Sequence, residues 1–224
     1  MLDIGAGSGL TSECLLARHP RCEAIVVEPS KAMLDIARRN LRGRAARFFE
    51  MGLDGAPLRD IRVVAALASA SMHFLDLDRA FGTLADLVVP GGYVAFNLWW
   101  HHWEETADCD CMSAWESIER SVCEEAGLQL PSQPSALANR KTRAGLNDAF
   151  RKHGFQAVAE ARDDDASPVA FGLEFAAMDA NWPAKGRGPT VRNALIAEMH
   201  ARAQGIIETL VSTRFLVQRP RSAA

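Results

Sequence analysis

Three glycines at two-residue spacing, Gly5, Gly7 and Gly9, follow the stretch Met1-Leu-Asp-Ile4 and open what reads as a helix. A turn without side chains after a buried strand lets a ligand lie against bare backbone, and the next helix offers its unpaired N–H groups. Two acids stand where they can add polar contacts. Asp3 lies inside the first strand, and Glu28 ends the apolar run Ala24-Ile-Val-Val27. An acid at the carboxyl end of a neighbouring strand can accept hydrogen bonds from ribose hydroxyls. These residues point to a nucleoside-binding site in an α/β fold. A tight strand-to-helix turn with no ligand, and a surface role for Glu28, are the competing readings.

The spacing narrows the nucleoside. The dinucleotide fingerprint G-x-G-x-x-G requires glycine at position 10, where this chain has Leu10. The phosphate-cradling pattern G-x-x-x-x-G-K-[ST] does not occur in the chain either.

The run Asp3-Ile-Gly-Ala-Gly-Ser-Gly9 instead resembles motif I of class I S-adenosylmethionine-dependent methyltransferases of the small-molecule type. Glu28-Pro-Ser-Lys-Ala-Met-Leu34 is similar to the acidic loop and following helix that hold the cofactor ribose in that family. Phe81 through Phe96, reading FGTLADLVVPGGYVAF, is similar to its helix, Pro-Gly-Gly turn and fifth strand. The resemblance covers residues 1–98. It implies a Rossmann-like, doubly wound α/β fold: a mostly parallel seven-stranded sheet with a helical cap inserted before the last strand. Residues 1–98 would form the S-adenosylmethionine-binding core. Residues 99–224 would complete the sheet and supply helical substrate cover, in one domain overall. Members of the family usually carry helices before motif I, whereas Met1 here opens into the first strand. The cover is therefore expected from the C-terminal half, unless the start is internal to a longer parent.

By the same resemblance the cofactor is S-adenosyl-L-methionine, met by Asp3, Gly5, Ala6, Gly7, Gly9, Glu28, Pro29 and Met33. Its adenine would lie against Glu50-Met-Gly-Leu-Asp54. The family often places an acid there, and lining up Pro57-Leu58 puts Gly52 at that position. Asp54 would substitute, or the backbone at Gly52-Leu53 would serve, with Met51 and Leu53 on the adenine faces. The competing reading makes Asp54 a turn residue beside Gly55. Ala68, after the fourth strand, leaves room for the sulfonium.

The acceptor side follows at the same edge of the sheet. His73, in Ala68-Ser-Ala-Ser-Met-His73, resembles a histidine often found there among small-molecule methyltransferases. It titrates near neutral pH and could act as general base; a structural histidine bonding backbone is the competing reading. Trp99-Trp-His-His-Trp103 follows the fifth strand, so Trp99, Trp100 and Trp103 are expected to wall the acceptor pocket, with His101 and His102 as alternative bases. The same tryptophans could instead cover an exposed core edge. Cys109, Cys111 and Cys123 fit none of the common zinc spacings, so no metal is expected.

Composition sets the outer limits. The chain has 224 residues, 48% hydrophobic, with 25 basic against 28 acidic side chains, enough for one sizeable core and no global field toward nucleic acid or membrane. The local excess Arg38, Arg39, Arg42, Arg44 and Arg47 falls mostly at a helix end, where cations complement the helix dipole. No apolar run reaches membrane-spanning length, no secretory leader is read at Met1, and five cysteines form no disulfide framework. A cytoplasmic protein acting on a small-molecule acceptor is expected, with a homodimer left open.

The elements that must position these residues alternate strand and helix. Strands are expected near 1–4, 24–28, 46–50, 62–68 and 92–98, then 155–161 and 212–218. Helices are expected near 10–18, 30–41, 77–87, 111–126, 142–153, 170–180 and 189–207. Ser30 caps the second helix, and Met33, Leu34, Ala37 and Leu41 repeat along it as a buried stripe. Two other functions compete with methyl transfer: a non-catalytic S-adenosylmethionine-binding partner protein, and a nicotinamide-dependent oxidoreductase, which conflicts with Leu10.

Overall fold

The structure, a computed structural model, describes residues 1–53, 58, 60–99, 110–129, 141–168 and 187–221. Its described residues fall into two compact units. The first takes Met1–Leu98, Arg143–Arg162 and Thr213–Ala224, and the second takes Trp99–Thr142 and Asp163–Ser212.

Strands β1 (Leu2–Ile4) and β2 (Ala24–Val27) are buried at every residue, which is why they read as continuous apolar runs rather than alternations. They pair in parallel with Ile4 opposite Val27, and β1 pairs in parallel with β4 (Val63–Ala68), Asp3 opposite Leu67. Strand β3 (Ala46–Phe49) pairs with β2, and β5 (Val88–Trp99) with β4, both in parallel. With β6 (Gln156–Pro168) and β7 (Ile207–Gln218) the sheet has seven strands in the order β3-β2-β1-β4-β5-β7-β6. The order reverses between β1 and β4, so the carboxyl ends of these two strands flank the crevice where ligands bind in such sheets.

Helices α1 (Leu10–Arg18) and α2 (Lys31–Asn40) bury Leu16, Leu34 and Ala37 with Ala24, Val26 and Leu41 in one apolar cluster. Ser30 caps α2 as its position suggests, its hydroxyl accepting from the Met33 N–H at 3.4 Å. The expected stripe holds for Leu34, Ala37 and Leu41, but Met33 stands outside it, 37% exposed. A second apolar layer joins α3 (Leu77–Leu87) and α5 (Arg143–Lys152) to the sheet. Phe81 meets Phe96, Phe150 and Phe155 edge to face at 5.7–6.1 Å, and Phe96 stacks on Phe215 at 5.0 Å. Asp78 of α3 ties the helices together, accepting from Lys152 Nζ at 2.8 Å with His153 Nε2 at 2.9 Å.

In the second unit, α4 (Asp110–Glu125) and α6 (Pro189–Arg202) are joined by Arg202, which donates to Glu125, Glu198 and Ser121. That guanidinium holds the Glu125 carboxyl down to about 2. Cys123 of α4 is buried, and desolvation pushes its thiol up to about 11, an inert state. Among the described residues no helix is long and apolar enough to cross a membrane.

Three boundaries differ from the sequence expectation. Strand β5 begins at Val88, four residues before Gly92, because α3 passes directly into extended backbone and Pro90-Gly-Gly92 forms a bulge within the strand. The register with β4 shifts there from Val63↔Val88 to Ala65↔Tyr93. Strand β6 runs on through Arg162-Asp-Asp-Asp165, a polar stretch with no apolar period, because the edge of a sheet needs only one paired side. Strand β7 starts at Ile207, so the helix before it ends at Arg202. The helix expected near 170–180 lies outside the described residues.

The bulge explains Gly92. A Cβ there would sit 2.7 Å from Val88 Cγ1, 2.8 Å from the Val64 carbonyl oxygen and 2.9 Å from that of Val89. Two of those atoms are backbone and cannot step aside. Gly92→Ala is expected to destabilise the fold by about 1–3 kcal/mol in chemical denaturation. An unchanged midpoint would show that the bulge opens freely.

Candidate cofactor site at the glycine turn

Glu28 is where the strand ends become a site. It leaves β2 only 8% exposed, which removes the surface reading. Its Oε2 accepts from the Gly7 N–H at 2.8 Å and its Oε1 from the Ser30 N–H at 2.8 Å. One carboxylate thus joins the glycine turn to the start of α2, and each oxygen keeps a further lone pair. The turn is also pinned by Ala6 N–H to the Val27 carbonyl at 3.1 Å and by Asn40 Nδ2 to the Ser8 carbonyl at 3.0 Å.

The three glycines do three different jobs. All have positive φ, at 60°, 56° and 78° for Gly5, Gly7 and Gly9. A Cβ on Gly5 would lie 2.6 Å from Ser71 Cβ, and one on Gly9 would lie 3.1 Å from Ala37 Cβ and 3.3 Å from its Cα. Those two glycines permit close packing, of the turn on the β4 side and of α1 on α2. Only at Gly7 is the space open, its nearest neighbour being Met33 Cε at 3.5 Å. Met33, displaced from the helix stripe, stands beside that opening.

Beneath the turn, Asp3 is 1% exposed. Its Oδ2 accepts from Ser12 Oγ at 2.6 Å, while its Oδ1 is buried with no hydrogen-bond partner among the described residues. Desolvation raises its pKa, the Ser12 hydroxyl and N–H oppose that, and the Glu28 charge raises it further. Two carboxyl groups, Asp3 and Glu28, thus stand largely out of water at one turn. Paired carboxylate oxygens beside a glycine with open space fit the ribose hydroxyls of an adenosyl ligand such as S-adenosylmethionine.

The β4 side completes the crevice. Ser71 Oγ donates to the Ile4 carbonyl at 2.5 Å, and Asn97 Oδ1 accepts from the Ala70 N–H at 2.6 Å. Ala70 has φ 53°, a conformation that costs an alanine about 1 kcal/mol. His73 lies in the 3₁₀ turn Met72–Phe74, 5% exposed, with its ring centroid 3.8 Å from that of Phe74. Ala68 is fully buried opposite Phe96, so a ligand contact from it would come through backbone.

After β3, Gly52 is exposed and Leu53 is 4% exposed, while Asp54 lies outside the described residues. Pro29 is exposed beside Glu28. Trp99 closes β5, and Trp100, His101, His102 and Trp103 lie outside the described residues. Sequence reasoning had not singled out Ser12, Asn40, Ser71 or Asn97. Each acts through a contact at least nine positions away in the chain, which no local spacing announces.

Known proteins resemble the chain in sequence over its first part and in fold. Residues 1–92 match the profile of a family described as a methyltransferase domain.

The chain also has recognisable relatives. It is 29% identical to the demethylmenaquinone methyltransferase of Chlamydia pneumoniae over 93 residues, 41% of this chain and 40% of that protein. It is 27% identical to the malonyl-(acyl-carrier protein) O-methyltransferase of Methylococcus capsulatus over 121 residues, 53% of this chain and 42% of that protein. The match thus spans about two-fifths of each relative's length. Solved structures extend the likeness to the fold of the whole chain. The cyclase SpnF superposes with a TM-score of 0.61 at 19% identity, over 99% of this chain and 74% of that one. The YcgJ protein of Bacillus gives 0.60 at 17% identity, over 99% and 92%. Geranyl diphosphate C-methyltransferase of Streptomyces coelicolor, solved with S-adenosyl-L-homocysteine, gives 0.58 at 15% identity, over 97% and 71%.

Proposed function

We propose that the chain is an S-adenosylmethionine-dependent methyltransferase acting on O, N, S or C of a small-molecule acceptor. The observation that carries this reading is the buried Glu28 carboxylate bridging Gly7 and Ser30 beside the one open glycine of the turn. When bound, S-adenosylmethionine supplies a methyl group already activated by its sulfonium. The chain's own residues then have placement, desolvation and proton handling to perform. Glu28 uses its remaining lone pairs for the ribose hydroxyls. Asp3 braces the start of α1 under the turn through its bond to Ser12. Gly7 lets the ligand reach the backbone, with Met33 at its side.

His73 is the candidate base for an acceptor hydroxyl, and Trp99, Trp100 and Trp103 the candidate acceptor wall, with His101 and His102 as alternative bases. Residues 1–98 hold the cofactor in this reading, and residues 99–224 complete the sheet and cover the acceptor. The near-balanced charge favours a small acceptor over nucleic acid. The exposed thiols of Cys14 and Cys22 suit a reducing cytoplasm.

Calorimetry with S-adenosylhomocysteine, with NAD as control, tests the reading. Adenosyl binding without NAD binding is the expected result, and the reverse would return the oxidoreductase. For the base, His73→Ala is expected to lower turnover about 10²–10⁴-fold while leaving S-adenosylhomocysteine affinity and the melting temperature near wild type. Unchanged turnover would make the residue structural. A second reading has a specific observation behind it: the same fold serves a cyclase, so fold alone does not dictate transfer. Adenosyl binding with no turnover across an acceptor screen would favour a non-catalytic partner protein.

A further inference from the structure

Nothing in the methyl-transfer reading accounts for the strained Ala70 or for the side chain that holds it. Ala70 adopts a left-handed conformation, φ 53°, at a position where glycine would be unstrained. Its N–H donates to Asn97 Oδ1 on β5, at 2.6 Å. The next residue, Ser71, is 7% exposed and does two things at once. Its hydroxyl donates to the carbonyl of Ile4, the last residue of β1, and its Cβ occupies the place a Gly5 side chain would take. Gly5 is the first residue of the glycine turn. A chain of contacts therefore runs from β5 through the turn after β4 to the end of β1, on the side of the glycine turn opposite Glu28.

We infer that Asn97 is a positioning residue for the cofactor turn: it holds Ala70 left-handed so that Ser71 seats the first glycine of the turn from below. The inference rests on the glycine turn being the ligand site of the proposed function. Asn97 touches no ligand in this scheme. It acts through Ala70 and Ser71, and Glu28 fixes the other side of the same turn through Gly7. The sheet order makes this geometry available, since β5, β4 and β1 are neighbours and present their carboxyl ends together.

The test removes the acceptor and then removes the strain. Asn97→Leu is expected to weaken S-adenosylhomocysteine binding about tenfold, because Ala70 loses the bond that offsets its conformation. Adding Ala70→Gly to Asn97→Leu is expected to restore binding to within about threefold of wild type, since glycine adopts that conformation without strain. A merely structural role for Asn97 would not be rescued in this way. Wild-type affinity in Asn97→Leu, or a double variant as weak as the single, overturns the inference. Ser71→Ala is a gentler probe that keeps the Cβ under Gly5 and drops only the bond to Ile4. It is expected to weaken binding in the same direction, and wild-type affinity there removes Ser71 from the chain. If the wild-type protein binds no adenosyl compound, the proposed function fails. Amide exchange then reads the positioning chain alone. Asn97→Leu is expected to speed exchange at Gly7 and Ser71, with Ala70→Gly slowing it again, and equal rates in all variants overturn the inference.

Discussion

Gly7→Val is expected to abolish measurable S-adenosylhomocysteine binding, lowering affinity more than about 100-fold. Two effects add. Gly7 has φ 56°, and a β-branched residue in that region is strained by about 1–2 kcal/mol. The larger effect is steric. A Cβ at Gly7 meets no protein atom closer than Met33 Cε at 3.5 Å, so the valine methyls would project into the space left for a ligand. The protein itself has room for the side chain, so the melting temperature should fall by only a few degrees. Calorimetry and thermal melting on the same sample separate the two effects. Lost binding in a folded protein locates the ligand at Gly7, and retained affinity moves it elsewhere. Gly9→Val makes the contrast. There the Cβ meets Ala37 Cβ at 3.1 Å and its Cα at 3.3 Å, so the expected loss is in stability first.

Glu28→Ala is expected to weaken adenosyl binding by about 1–3 kcal/mol, roughly five- to 150-fold. The same substitution strips the acceptor from the Gly7 and Ser30 N–H groups, both partly buried, so the turn and the start of α2 should loosen together. Affinity and stability thus fall in one variant, which distinguishes this residue from Gly7. A competition series with adenosine and 2′-deoxyadenosine isolates the ribose contribution. Wild-type protein should prefer the hydroxyl-bearing ligand, and Glu28→Ala should lose that preference. Equal preference in both proteins would confine Glu28 to organising the turn.

The first half of the chain was legible because its signals are local. A glycine turn after an apolar strand, an acid after the next apolar strand and a serine cap each declare themselves within a few residues, whereas Pro90-Gly-Gly92 reads as a turn and is a bulge within β5. The structure has strands at Leu2–Ile4, Ala24–Val27, Ala46–Phe49 and Val63–Ala68 within a residue of the expected bounds. The later strands were less legible. Strand β6 lies at the sheet edge, and from Gln156 to Arg162 its side chains are exposed, so no apolar alternation marks its length.

The sequence by itself determined the fold class, the glycine turn and the acid that serves it. It could not apportion the three glycines, because their spacing is uniform while their surroundings differ. Only the tertiary structure decided that Gly5 and Gly9 are packing positions and that Gly7 is the open one, since Ser71 and Ala37 reach them from 66 and 28 residues away in the chain. The same holds for Asn97 over Ala70, and for the orphaned oxygen of Asp3. Local propensity sets what each segment becomes. Which atoms then share a hydrogen bond, or a van der Waals limit, depends on how distant strand ends are brought side by side.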